Sequence, residues 1–342
     1  QDILDFKSYG KGDKAWFGDE YIRDSRLHPR WNPTGTSERR LSCSRPNFQN
    51  VPHRAKGGDS YFAKLIRSVV IPEEGCILAE LDASQGEDWT VAFDVWKRTG
   101  DETMLTFLRT KADLHSRTGS YITGSPVHKC SSSENPEMYL ARDRGKRINH
   151  SHKYMEGFKY ARLGGRDQYH CDRDVSNGLA LVAWRGDGYI AYFGAWRLSE
   201  LAFGDTSRES QRRAIGIKSQ LMQDYPGILE WQRLVFETWR ATGMVRNTFG
   251  FSRPLYGEPG ECAKRAAAFV GASNLQTIVI RGMIDAVREI PDLRLHAQIH
   301  DSLLISDEGG AVCVGVRDIM QRDRDGLVVP WETSQGARWS EI

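Results

Sequence analysis

The stretch Cys76-Ile77-Leu78-Ala79-Glu80-Leu81-Asp82-Ala83-Ser84-Gln85-Gly86-Glu87 decides the reading of this chain. Its first half is a short apolar run that follows the turn Pro72-Glu73-Glu74-Gly75 and reads as a buried strand ending at Asp82. Ser84, with Glu87 three residues on, forms a capping-box pattern that predicts a helix to about Arg98, before Gly100. A second acid repeats the arrangement. Leu293–Ile299 and Leu303–Ser306 read as two short strands around His300-Asp301-Ser302, a hairpin with Asp301 at its turn. An acid where a buried strand surfaces is well placed to hold a hard divalent cation, which wants oxygen ligands. A strand-end Asp also serves simply to cap a turn.

Outward from these two points, Tyr61–Val70 reads as a helix or strand. Residues 101–160 read as mostly helical, with a loop at Gly124–Pro136. Residues 161–195 are Gly-rich with interspersed aromatic residues and read as an inserted loop or small hairpin. Helices resume from Ser207 to Ala241, broken near Pro226-Gly227. After a turn region at 250–260, Glu261–Glu289 reads as one long helix. Residues 1–39 read as irregular, with one short strand.

The 342 residues include 39% hydrophobic and 27% charged positions, ordinary for a globular enzyme. Forty-seven basic residues against 45 acidic leave a net charge of +2, so composition gives no vote for nucleic acid. The longest apolar stretches, such as Cys76–Leu81, are far too short to cross a bilayer, and Gln1–Gly18 is not an apolar signal segment. Six scattered cysteines without a CxxC pair argue against zinc and favour a reduced compartment.

A third constellation is Arg142, Lys146, His150 and Tyr154. Steps of four keep all of them broadly on one helix face, drifting roughly 40° per step. Such a cationic face can neutralise a triphosphate and its leaving group, or it can be a solvated basic surface.

These segments resemble the motifs of family A DNA polymerases. Leu81-Asp82-Ala83-Ser84-Gln85-Gly86-Glu87 resembles motif A, D-x-S-Q-x-E, and Gln298-Ile299-His300-Asp301-Ser302 resembles motif C, V-H-D-E, with Ser302 in place of the Glu. Arg142-x₃-Lys146-x₇-Tyr154 has the spacing of motif B, R-x₃-K-x₇-Y-G. There His150 replaces the usual aromatic residue and Met155 the Gly. Arg40-Leu41-Ser42-Cys43-Ser44-Arg45-Pro46-Asn47-Phe48-Gln49-Asn50-Val51-Pro52 resembles R-L-S-S-x-x-P-N-L-Q-N-I-P almost residue for residue and is the most specific match. Asp113-Leu114-His115 resembles D-I-H, and Ala272–Thr277 resembles the helix bearing a template-contacting Gln. The similarity covers roughly residues 36–160 and 223–342, with the landmarks in the family's order.

The resemblance implies an α+β fold: a right-hand palm, an antiparallel sheet backed by helices, with a helical fingers subdomain, and neither thumb nor exonuclease in this chain. It divides the chain into a thumb–palm link (1–39), palm (40–110), fingers with an insertion at about 161–222 (111–222), and palm again (223–342). It implies that Asp82 and Asp301, with the Ala83 carbonyl, hold two Mg²⁺ ions, for which Mn²⁺ can substitute. It implies nucleotide contacts by Gln85, Glu87, His115, Arg142, Lys146, His150 and Tyr154, with Lys146 a proton donor and Glu87 the steric gate against a ribose 2′-hydroxyl. Primer-template contacts fall to Arg40, Asn47, Gln49, Asn50, Arg67, Gln276 and His300. The implied activity is template-directed addition of dNTPs to a primer 3′ end. The divergences at 150 and 302 suggest a phage-type enzyme, working in the cytoplasm of a bacterial host with a partner polypeptide supplying the thumb or exonuclease. The other readings are a catalytically weakened palm that binds primer-template, and a metal-dependent hydrolase built on the two Asp residues.

Overall fold

A computed structural model of the chain describes residues 16–24, 26–51 and 61–342, and for 61–63 the backbone alone. Pro52 of the Arg40–Pro52 segment and the first fifteen residues of the expected link lie outside the described residues. The chain folds as two compact units, Gln1–Glu87 with Ser273–Ile342, and Asp88–Ala272.

The first unit is built on a four-stranded antiparallel sheet in the order Arg294–Ile299, Ser302–Asp307, Ile77–Ala83, Trp331–Gly336. Strand Ile77–Ala83 is paired on both sides, which pins its register. Side chains alternate across its two faces. Ala79, Leu81 and Ala83 are all buried on one face, whereas Leu78, Glu80 and Asp82 go from buried through half-buried to exposed on the other. That gradient brings Asp82 to the open end of the strand. Leu78, Leu304, Ala297 and Ile299 pack with Cys43, Phe48, Val51 and Trp339 in one apolar cluster. Helix Ala311–Met320 packs against strands 77–83, 302–307 and 331–336. Among the described residues before position 40, three two- or three-residue strands (Ile22–Arg23, Arg26–Leu27, Arg30–Asn32) take the place of the one expected.

Most of the second unit is helical. Helices Leu114–Thr123 and Pro136–Lys153 pack closely. Two glycines permit this approach. A Cβ on Gly145 would lie 2.2 Å from the His115 carbonyl oxygen and 2.6 Å from the Gly119 backbone nitrogen. Asn135 caps the second helix through its side chain, with Pro136 at the first helical position.

The expectation for 161–195 is corrected by the structure. A three-stranded antiparallel sheet forms in the order Phe158–Arg162, Tyr189–Gly194, Ala180–Gly186. Helix Arg166–Ser176 packs on it around Ala161, Cys171, Ala180, Ile190 and Tyr192. The hairpin part was legible in Asp187-Gly188 between β-prone runs. The helix was not, because its sequence is mostly polar with one buried residue, Cys171. The two ends of this element are bonded to each other: the Gly194 N–H donates to the Gly157 carbonyl at 2.9 Å. Gly157 is left-handed (φ 76°), and a Cβ there would sit 2.7 Å from the Gly194 oxygen.

Two further expectations change. The helix after motif A spans Gly86–Thr99, so Ser84 is not its cap; the Ser84 hydroxyl donates to Glu332 at 2.8 Å instead. Helix Pro259–Glu289 is long and apolar enough to cross a membrane by length and composition, contrary to the expectation that every apolar stretch is too short. Its apolar window is 72% buried inside the protein, the condition of a core helix.

Substituting Gly145 by Ala at an ordinary helical site would gain about 1 kcal/mol. Here the new methyl meets fixed backbone, and thermal unfolding of Gly145→Ala is expected to show a loss of about 1–3 kcal/mol; a gain would contradict the close helix approach.

Candidate active site

In the sheet unit, Ser302 lies directly opposite Asp82 in the antiparallel pair, so Asp301 sits one residue beyond it, in the two-residue turn of the hairpin. Glu332 faces Asp82 from the other side. His300, first in that turn, is exposed and left-handed (φ 57°), a conformation costly for a side chain other than Gly. The turn is held from behind. The Gln276 amide donates to the His300 carbonyl at 3.1 Å, and Gln298 donates to the same carbonyl and to the Gln276 oxygen. Gln276 is fully buried. It supports the Asp301 turn.

The 40–51 segment is likewise tied to its own unit. The Arg40 guanidinium pairs with Glu87 at 2.9 Å, joining an expected DNA contact to the expected steric gate. Gln49 donates to the Leu41 carbonyl at 2.8 Å and the Gln298 carbonyl at 3.2 Å. The Asn47 side chain caps the short turn Phe48–Asn50, and Asn50 is exposed. Arg67 is buried, with its guanidinium 4.1 Å over the Trp339 ring, so it packs as a cation–π partner and not on an open surface. Gln85 is left-handed (φ 51°) at the start of helix 86–99, and Ala83 is buried opposite Trp331.

The carboxylate pair can be judged as a metal site from its donors. No group of three or more His, Cys, Asp or Glu among the described residues could hold an ion. Two adjacent strand-end carboxylates are nonetheless the donor set that Mg²⁺ uses when substrate phosphates and water complete its shell. The residues fit such an ion.

In the helical unit, Pro136–Lys153 turns one face inward and one out. Ala141, Gly145, Ile148, Asn149, Ser151, His152 and Lys153 are buried. Lys146 is exposed and Arg142, His150 and Tyr154 are intermediate. The predicted cationic face is therefore present. Arg142 bonds Asp113 at 2.5 Å; burial pushes that carboxyl's pKa up, but the Arg142 hydrogen bond and charge outweigh it and hold the group ionised. The His150 ring lies 5.9 Å from Tyr154 and 6.1 Å from His115, all three tilted. Met155 is left-handed (φ 61°) and fully buried just past the helix end, the place where Gly ordinarily relieves backbone strain.

His115 is 4% exposed. One ring nitrogen meets Asn149 at 3.1 Å and the other Asp88 at 3.5 Å. Through Asn149 it shores up helix 136–153. Behind it, the sequence reading missed a buried ion pair between Asp88 and Lys153. The signal was there: Lys153 falls on the inward face of the helix. Desolvation raises the Asp88 pKa, but Lys153 and His115 overcome it and the net shift is downward. Burial depresses the His115 pKa to about 4, against the attraction of Asp88.

A family model described as DNA polymerase family A matches residues 3–165. DNA polymerase I of Caldicellulosiruptor bescii is 33% identical over 335 residues, 92% of this chain and 32% of its own length. The chain belongs to DNA polymerase family A. The thermostable DNA polymerase I of Thermus aquaticus is 39% identical over 104 residues, 30% of this chain and 11% of that protein. The POL domain of Pol1 from M. smegmatis, solved in complex with DNA primer-template and dNTP, superposes with a TM-score of 0.67 at 21% identity, covering 99% of this chain and 52% of that one. The fold is thus that of a family A palm, the antiparallel sheet, with helical fingers. The chain spans about a third or less of the length of the curated relatives it matches. These relatives are bacterial, and they lend no support to the phage-type reading of His150 and Ser302.

His115 gives the site a pH dependence. Its unfolded pKa near 6.5 exceeds the folded value of about 4, so the unfolded chain binds the proton more readily and stability falls as pH drops through that window. The buried His152, also shifted downward by burial, acts in the same direction. Denaturant unfolding from pH 7 to pH 4 is expected to lose up to about 3 kcal/mol from His115. His115→Gln should flatten that part of the profile.

Proposed function

We propose that this chain performs template-directed addition of dNTPs to a primer 3′ end. The observation that carries the reading is the strand register that sets Asp301 beside Asp82, in a chain that belongs to DNA polymerase family A. The M. smegmatis POL domain, whose fold this chain shares, is in complex with primer-template and dNTP, and that likeness supports the same substrates here.

Asp82 and Asp301, with the Ala83 carbonyl, would hold two Mg²⁺ ions. When bound, such ions lower the pKa of an attacking hydroxyl and offset charge on the departing oxygen. The remaining work falls to the chain's own groups. Lys146, exposed on the fingers helix, binds triphosphate oxygens and can return a proton to pyrophosphate as it leaves. Arg142, oriented by Asp113, adds a second cation. His150 and Tyr154 offer ring faces for the sugar and the nascent base pair. Glu87 is fixed by Arg40, with 16% of its side chain exposed, so its carboxylate is poorly able to yield to a ribose 2′-hydroxyl.

Primer extension in Mg²⁺ tests the reading. Asp82→Ala and Asp301→Ala should each lower the rate by about 10³-fold, the loss of several kcal/mol of charge stabilisation. Activity surviving either change would overturn the assignment of the pair, while tight primer-template binding without extension by the wild type would favour a binding module. The wild type should also prefer dNTPs to rNTPs; equal incorporation would remove Glu87 from its role.

A further inference from the structure

Strand Ile77–Ala83 carries a second acid on the Asp82 face. Glu80 lies two residues before Asp82, and its side chain reaches across to the neighbouring strand. The Ser302 hydroxyl lies 2.7 Å from Glu80 Oε1, and the Trp339 indole N–H donates to Glu80 Oε2 at 3.4 Å. Both partners are neutral and Glu80 is half-buried; on the Trp339 side a cation stands behind the partner, the Arg67 guanidinium 4.1 Å over the Trp339 ring. Its neighbours in the sheet and below it, Leu78, Leu304 and Trp339, belong to the apolar cluster. A carboxylate so placed is costly unless a positive charge comes near. On the Ser302 side, the strand register shows what the carboxylate faces. Ser302 is opposite Asp82 and next to Asp301, at the position where the motif C pattern has an acid of its own.

We propose that Glu80 is a positioning residue of the Asp82–Asp301 site: it holds Ser302, and with it the turn that presents Asp301, and supplies from the adjacent strand the acidic charge that Ser302 lacks. Glu332, on the other neighbour of Asp82, receives the Ser84 hydroxyl and does not touch Ser302, so it is not an equivalent. The inference rests on the reading of Asp82 and Asp301 as a divalent-cation site.

The test uses the full chain and four variants: Glu80→Gln, Ser302→Ala, the exchange Glu80→Gln/Ser302→Glu, and Asp82→Asn. Free Mn²⁺ is measured by electron paramagnetic resonance in the absence of DNA and nucleotide, and the Mg²⁺ concentration for half-maximal primer extension is measured alongside. Glu80→Gln keeps the shape of the side chain and an acceptor for Ser302. It is expected to weaken Mn²⁺ binding and raise the Mg²⁺ midpoint by about 10-fold or more, the usual size of an outer-shell effect. Ser302→Ala should shift both in the same direction, and the exchange should recover most of the loss. Wild-type Mn²⁺ affinity in Glu80→Gln, or an exchange variant that binds no better than Glu80→Gln, overturns the proposal. If Asp82→Asn loses affinity while Glu80→Gln does not, the metal reading survives and this inference alone falls. If Asp82→Asn binds Mn²⁺ as the wild type does, the metal reading itself is lost.

Discussion

The pairing of strand 77–83 with strand 302–307 is the constraint on which the sheet unit depends. Side chains alternate with a period of two, so a slip of one residue would turn Asp82 into the apolar face and bring Leu81 to the surface. Pairing with 331–336 on the other edge removes the freedom to slip. A register fixed in this way places acids from two distant parts of the chain at one sheet end with no dedicated binding loop. The left-handed His300 and the buried Gln276 and Gln298 amides then set how the hairpin turns beyond that end.

The helical unit solves a different problem. A helix that exposes cations on one side must be anchored on the other, and here part of the anchor is itself polar. Asp88, Lys153, His115 and Asn149 form a buried network between helix 136–153 and its neighbours. Buried charges of this kind rarely add net stability compared with apolar packing; once formed, they are costly to break singly. Such a network resists small rotations of the helix, because each would separate a charge from its partner. The facing glycines at 119 and 145 add a steric limit to the same motion.

The elements with strong local signals were legible in the sequence: strand 77–83, the hairpin at His300-Asp301, the helix broken at Pro226, and the long helix ending at Glu289. Spacing put Arg142, Lys146 and His150 on one side of helix 136–153, since helical periodicity alone decides which residues share a side. What stayed hidden were pairings between distant residues. Nothing local in Arg40 points to Glu87, and Gln276 reads as a surface amide until the fold buries it. Glu80 looked like part of a strand with no role, because its partner Ser302 lies 222 residues away. The helix at 166–176 was missed for a related reason: with one buried position it owes its form to the sheet beneath it and shows no apolar stripe.

The bond between Gly157 and Gly194 has a consequence of its own. An excursion whose two ends already touch imposes no span on the polypeptide that flanks it. Its loops can change length while the helix before it and the helix after it keep their places. One set of its apolar residues is satisfied internally, around Cys171 and Ile190, whereas Phe158, Tyr160, Trp184 and Tyr189 pack their rings on Phe236 of helix Pro226–Thr242. Divergence is therefore least constrained around helix Arg166–Ser176 and most constrained where the aromatic rings meet Phe236.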